Sequence, residues 1–284
     1  MVKIIFFVHS SGDMENKPYY IELRLARISD LYLHEEIVES HLRKLKEIIS
    51  RDGVLSNPVV VDRGSLVVLD GTHRVRCLEE LGCRLITAVM VDYFDPMIRL
   101  RNWYRVISGD INVAIGIAKM FGFVDMEYDP KIAEEGVYDS IILIHRGGAI
   151  IYRGSGDIFD LYSRLRDYEE YLRRMGIKIE YIHENQVRDM LGMGKAVIVT
   201  PKLSKSDVIR VAKSGRVFPP KTTRHIFPIR PLFLDTPLEL LRMDEVRDIE
   251  SLINRLLLSR TYVKVKGPTI IDRFYDEDLL IVFM

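Results

Sequence analysis

Glutamine is all but missing from this chain, with Gln186 the only one, and cysteine is scarcely commoner, with Cys77 and Cys83 alone. Two thiols without metal-site spacing exclude a disulfide framework and a thiolate metal centre. Net charge is lacking too, because 41 Lys and Arg balance 41 Asp and Glu. No basic field exists to gather nucleic acid or an anionic membrane, so neither is expected as a partner. Long apolar runs are also absent. The longest, Lys3–Val8 and Leu279–Phe283, are strand-sized and far short of the roughly 20 residues of a membrane helix. A polar loop over Ser10–Pro18 follows the first run, which is not a signal-peptide pattern, and the expected location is the cytoplasm. Scarce amides beside 29% charged residues match the composition of thermophile proteins.

What the chain does have is apolar content, 48% over 284 residues, ample for one large domain or two smaller ones. Its most informative stretch is Leu66-Val67-Val68-Leu69-Asp70-Gly71-Thr72-His73-Arg74, an apolar strand running into a glycine and the polar opening of a helix. The first N–H groups of a helix have no partner within it and the dipole favours negative charge there, so this turn is a candidate anion site. A second polar cluster, Pro220-Lys221-Thr222-Thr223-Arg224-His225, lies far away in a segment with neither helical nor strand period. Two such clusters suggest one site built from distant sequence around a phosphate-bearing ligand.

Periodicity supplies the frame. Strands are expected at Tyr19–Leu25, Pro58–Val61, Leu66–Leu69 and Leu85–Val91, with a hairpin turn over Asp62–Ser65. A helix with the stripe Ile37, Val38, Leu42, Leu45, Ile48 and Ile49 stops at Asp52-Gly53, and the helix after the turn ends at Gly82. Beyond a break at Ser108–Asp110, strands at Ile141–Ile144, Ala149–Tyr152, Ile177–Ile182 and Ala196–Thr200 alternate with helices over Ile158–Met175 and from near Glu184 and Ser206. Thr236 is expected to cap a helix with Pro237 at its first position, followed by a helix over Asp244–Ser259 and a terminal strand pair around Gly267-Pro268. The fold class is α+β, without repeats.

With Asp70-Gly71-Thr72-His73-Arg74 set between strand and helix, the region from Ile28 to Trp103 resembles the ParB/sulfiredoxin superfamily. Within it, the chain is most similar to the archaeal free serine kinases. The further matches are His34-Glu35 at the start of the first helix, Val91-Asp92-Tyr93-Phe94 leading to Trp103-Tyr104, and the Pro220–His225 cluster. The resemblance implies a ParB/sulfiredoxin-like catalytic lobe over 1–110 and a second mixed α/β lobe over 111–284, with a cleft between them. Residues 216–230 would return to that cleft, and 235–284 would form a C-terminal extension outside the resemblance. It also implies transfer of a phosphoryl group from ADP or ATP, with magnesium, to the hydroxyl of free L-serine, in serine and cysteine metabolism. Glu35 would be the base, Asp70 would hold magnesium or orient the transferred group, and Gly71, Thr72, His73 and Arg74 would surround the phosphates with Arg224. Trp103, Lys221, Thr222, Thr223 and His225 would form the amino-acid pocket. The chain departs from the family where Thr72 replaces a second histidine, which leaves another acceptor such as L-threonine open.

Each residue also has a plainer reading. Glu35 and Glu36 could be first-turn acids complementing a helix dipole, and Asp70 could stabilise the turn locally. Arg74 could cover a helix end and Arg224 pair with a surface carboxylate, while Trp103 could be core. Phosphoryl transfer asks chiefly for positioning and charge neutralisation, to which guanidinium groups are suited. Sulfiredoxin-like repair needs a cysteine where Thr72 stands, and a ParB-type DNA switch needs a helix-turn-helix and a basic face. A nucleotide or amino-acid sensor without turnover remains an alternative.

Overall fold

The structure is a computed structural model that describes residues 2–9, 16–127, 129, 132, 136–154, 156–244 and 246–284. Of the expected loop at Ser10–Pro18, residues 10–15 lie outside the described residues and Asn16–Pro18 open a strand. The architecture is mixed α and β and falls into two compact units. One comprises Met1–Arg99, Ala212–Val217 and His225–Met284, and the other Leu100–Val211 with Phe218–Arg224.

The first unit opens with β1 (Val2–His9), β2 (Asn16–Arg27), α1 (Glu39–Asp52), β3 (Val54–Leu55), β4 (Val59–Asp62), β5 (Val68–Asp70), α2 (Thr72–Glu80) and β6 (Leu85–Val91). Its five-stranded sheet has the order β1-β2-β6-β4-β5, with β4 and β6 parallel and Val59 opposite Ala88. Every residue of β4 and β6 is buried, which is why these strands read as unbroken apolar runs rather than alternating ones. The first helix starts later than its stripe suggests. Val38 is extended, at φ −94° and ψ 107°, and Ile37 lies before it, so only Leu42 and Ile49 of that stripe are buried helical residues. Gly53 ends the helix in the left-handed region at φ 68°, as expected.

The second unit contains β7 (Arg99–Ser108, from Leu100 onward), α3 (Ile111–Met120), β8 (Val124–Met126), β9 (Ser140–His145), β10 (Gly148–Arg153), α4 (Ile158–Arg174), β11 (Lys178–His183), α5 (Val187–Gly192), β12 (Ala196–Val199) and α6 (Lys205–Lys213, as far as Val211). The strand order is β11-β7-β12-β9-β10-β8. Alternation sorts its strands into two faces: Ile107, Ile141, Leu143, Ile150 and Ile198 pack with Leu161, Leu165 and Leu172 of α4, while Val106, Ile142, Ile144, Val197 and Val199 form the opposite layer. The β7 strand escaped the sequence reading because Arg101, Asn102 and Arg105 interrupt its apolar pattern. Arg105 is nevertheless fully buried, its Nε donating to Glu169 Oε1 at 2.7 Å. β13 (Thr223–Ile226) begins in this unit with Thr223 and Arg224.

The chain then completes the first unit with β14 (Ile229–Leu232), β15 (Thr236–Pro237), α7 (Leu238–Leu241), α8 (Val246–Leu258), β16 (Tyr262–Lys266), β17 (Thr269–Ile270), β18 (Phe274–Tyr275) and β19 (Leu279–Phe283). A three-stranded sheet of order β14-β19-β16 sets Arg230 opposite Leu280 in parallel register. Thr236 is not a helix cap. It lies in β15, paired with Leu55 of β3, and its Oγ1 accepts from Thr87 Oγ1 at 2.8 Å, while Pro237 occupies the cap position. Residues 235–284 thus share a compact unit with the N-terminal 99 residues, because β15 and the buried Leu238 and Leu241 join that unit's core.

Candidate active site

The signature turn is dictated by Gly71. Its φ is +105°, and a Cβ placed there would lie 2.5 Å from Val59 Cγ1 and 2.9 Å from Arg74 Nη2, so only glycine passes between β5 and α2. Gly71 is also the helix cap and offers no side chain to the first N–H groups of α2, which keeps this end of the helix suited to an anion. Thr72, buried, is the first helical residue, so its hydroxyl does not serve as the cap.

Four side chains, those of Asp70, His73, Arg74 and Arg230, fix the turn. Asp70 Oδ2 accepts from Arg74 Nη2 at 2.8 Å and also from Arg230 Nη1. Burial raises the Asp70 pKa, but Arg230 and Arg74, with Arg273 beyond them, outweigh it and hold the carboxyl well below the usual carboxylate range. Arg74 is turned inward: its Nη1 donates to the carbonyls of Asn57, at 3.0 Å, and Pro58. His73 Nε2 accepts the backbone N–H of Val38 at 2.9 Å, which ties the opening of α2 to the start of α1.

Glu35 lies four residues before α1 begins, in non-helical chain, so the first-turn reading of Glu35 and Glu36 fails and Glu39 holds that position. Beside it, buried His34 places Nδ1 2.6 Å from the Val68 carbonyl and Nε2 3.9 Å from Glu35 Oε1. A carbonyl can only accept, so Nδ1 carries the proton and donates. Burial lowers the His34 pKa, against the opposing pull of Glu35, the Val68 carbonyl and Asp70, and keeps the ring neutral. His225 meets His34 edge-on, with centroids 5.5 Å apart, and its Nε2 lies 2.7 Å from the hydroxyl of fully buried Tyr93.

Within the second unit, Trp103 on β7 gathers cations. Lys221 Nζ is 4.7 Å from a ring centroid, Arg224 Cζ is 5.9 Å away, and the His183 ring packs at 4.9 Å. Lys221 is in the left-handed region at φ 61°. Thr222 is fully buried and its Oγ1 donates to the Pro219 carbonyl at 2.7 Å, the turn chemistry its position after two prolines suggests. Thr223 is buried as well.

The first unit therefore assembles His34, Glu35, Asp70, Gly71, Thr72, His73, Arg74 and His225, and the second holds Trp103, Lys221, Thr222, Thr223 and Arg224. The sequence reading overlooked Arg230, Glu277, Tyr93 as a partner of His225, and His183. Arg230 carried one readable signal, a lone cation inside an apolar strand. Among the described residues, no group of three or more His, Cys, Asp or Glu stands close enough to hold a metal ion by itself, and no helix is long and apolar enough to cross a membrane.

No protein-family model matches the chain. Among characterised proteins, the ATP-dependent L-serine kinase of Staphylothermus marinus is 30% identical over 241 residues, 78% of this chain and 92% of the relative. The ADP-dependent L-serine kinase of Thermococcus kodakarensis is 27% identical over 217 residues, 72% of this chain and 87% of the relative. A glutamate-to-alanine variant of free serine kinase, solved in complex with ADP, superposes with a TM-score of 0.65 at 25% identity, covering 77% of this chain and 93% of that one. With that level of identity across nearly the whole length of its relative, and with the fold of a free serine kinase, the chain belongs to the L-serine kinase family.

Proposed function

We propose that the protein transfers the terminal phosphoryl group of ATP or ADP to the hydroxyl of free L-serine, giving O-phospho-L-serine. The observation that carries this reading is the 30% identity to an L-serine kinase across 92% of that enzyme. The Asp70–Arg74 turn supports it, since its glycine cap leaves the end of α2 suited to a phosphate.

The chemistry follows from the residues. The Glu35 carboxylate takes the proton from the serine hydroxyl as that oxygen attacks the terminal phosphorus, and the bond to the nucleotide's bridging oxygen breaks. Neutral His34, its Nδ1 committed to Val68, presents Nε2 toward Glu35 and cannot add positive charge that would quench the base. We assign phosphate binding to the N–H groups that open α2 and to Thr72, His73, Arg74 and Arg224, and the serine carboxylate and ammonium to Trp103, Lys221, Thr223 and His225, with fully buried Thr222 holding its turn through the Pro219 carbonyl. Arg74, with its inward hydrogen bonds, serves chiefly by holding Asp70.

Magnesium fits the turn through a single oxygen. Oδ2 of Asp70 is taken by the two guanidinium groups, whereas Oδ1 accepts no hydrogen bond among the described residues. One protein carboxylate suffices for a cation that fills its shell with phosphate and water, and when bound with the nucleotide it would neutralise charge on the phosphates.

The test incubates the purified protein with magnesium, either ATP or ADP, and L-serine, L-threonine or L-homoserine, and follows O-phospho product by phosphorus NMR. Phosphoserine with at least one donor is expected; product only from another hydroxy amino acid, or none at all, refutes the reading.

A further inference from the structure

Arg230 is bound from both sides. On one side its Nη1 meets Asp70 of the signature turn, and on the other its Nε donates to Glu277 Oε1 at 2.5 Å. Arg230 and Glu277 are both nearly sealed from solvent, and the guanidinium lies 5.2 Å from the Phe227 ring centroid. Glu277 belongs to the stretch 235–284 that the motif resemblance does not reach. Its place is fixed by backbone: β19 runs parallel to β14 with Arg230 opposite Leu280, and Gly267 N donates to the Asp278 carbonyl at 3.2 Å. A Cβ on Gly267 would collide with the Glu277 carbonyl oxygen, so this close approach also requires glycine.

Burying an arginine between two carboxylates is costly and gains stability only when every partner is in place. A plain core would have served packing better. Here the pairing ends on the carboxylate that flanks the anion-binding turn, and it sets the charges of Asp70 and Glu277 against Arg74, Arg230 and the more distant Arg273. We propose that Glu277 is a positioning residue of the active centre. Through Arg230 it sets the orientation of the Asp70 carboxylate and cancels positive charge beside the phosphates, so that the C-terminal segment tunes how tightly the nucleotide is held. The kinetic part of this inference rests on the kinase reading; the binding part does not.

Glu277→Gln keeps an acceptor for Arg230 Nε but removes the negative charge, whereas Glu277→Ala removes both. Calorimetry with ADP, steady-state kinetics with serine and thermal melting are run on both variants and the wild type. Glu277→Gln should bind ADP two- to tenfold more tightly with kcat within threefold of wild type. Glu277→Ala should lose tenfold or more in kcat while the KM for serine stays within threefold. A residue that merely supports the fold would lower the melting temperature and leave the ADP affinity of the folded fraction unchanged. Unchanged ADP affinity in Glu277→Gln overturns the proposal, whether or not Glu277→Ala folds. A wild type that binds ADP yet forms no phosphoserine defeats the kinase reading alone, and the affinity of Glu277→Gln still decides this one.

Discussion

His73 Nε2 accepts the backbone N–H of Val38 at 2.9 Å, so a side chain on the signature helix caps the first helix from outside. Val38 occupies the cap position of α1 and has no side-chain oxygen of its own to offer. The bond makes the position of the His34-Glu35 stretch depend on the Asp70–Arg74 turn. His73→Ala should destabilise the protein by about 1 kcal/mol, the usual worth of a cap or a neutral hydrogen bond. Urea denaturation monitored by circular dichroism measures it, and an unchanged midpoint would show that water replaces the imidazole at no cost.

Gly71→Ala combines a left-handed backbone with a methyl group driven against Val59 and Arg74. The expected loss is roughly 1–3 kcal/mol of stability, together with weaker nucleotide binding as the helix end shifts. Thermal melting with and without ADP checks both, and full retention of the ADP-induced shift would remove the turn from the binding site.

Glu35→Gln keeps the shape of the side chain and removes the proton acceptor. General-base catalysis is worth typically 10²–10⁴-fold, so kcat should fall by at least about 100-fold with nucleotide affinity within a few-fold of wild type. A rate near that of wild type would move the base role to Glu36, the neighbouring carboxylate.

Acid sensitivity should trace to His34. Burial depresses its pKa in the folded protein below the ordinary value of 6.5, so the unfolded chain binds the extra proton first. Stability therefore rises with pH up to about 6.5 and is lost as pH falls below it, with a slope of at most ~1.4 kcal/mol per pH unit from this one group. Denaturation of the wild type and His34→Gln at pH 5 and pH 8 gives the comparison. The difference in stability between the two pH values should shrink in the variant, and an equal difference would acquit His34.

Much of this molecule was readable because local patterns agreed with the final structure. β6 lies over Leu85–Val91 as its apolar run predicts, and α4 ends at Arg174 just before Gly176. Asp110, expected only as part of a break, caps α3 by accepting from the N–H groups of Asn112 and Val113. Where the patterns misled, a tertiary partner had overridden them. The apolar side chains of Ile37 and Val38 continue a helical stripe, yet Val38 donates its N–H to His73 and stays extended. Thr236-Pro237 is a good helix opening, yet β3 claims it as a strand.

The sequence alone determined the signature turn, the order of the motifs and the kinship with serine kinases, because each depends on residues adjacent in the chain or on direct likeness to relatives. Only the tertiary structure decided what those residues touch: that Arg74 faces inward, that His34 is held neutral, and that Glu277 reaches Asp70 through Arg230. Such pairings join positions separated by up to 160 residues, as between Asp70 and Arg230. Buried charges choose partners by distance and desolvation, and neither quantity is written in local sequence.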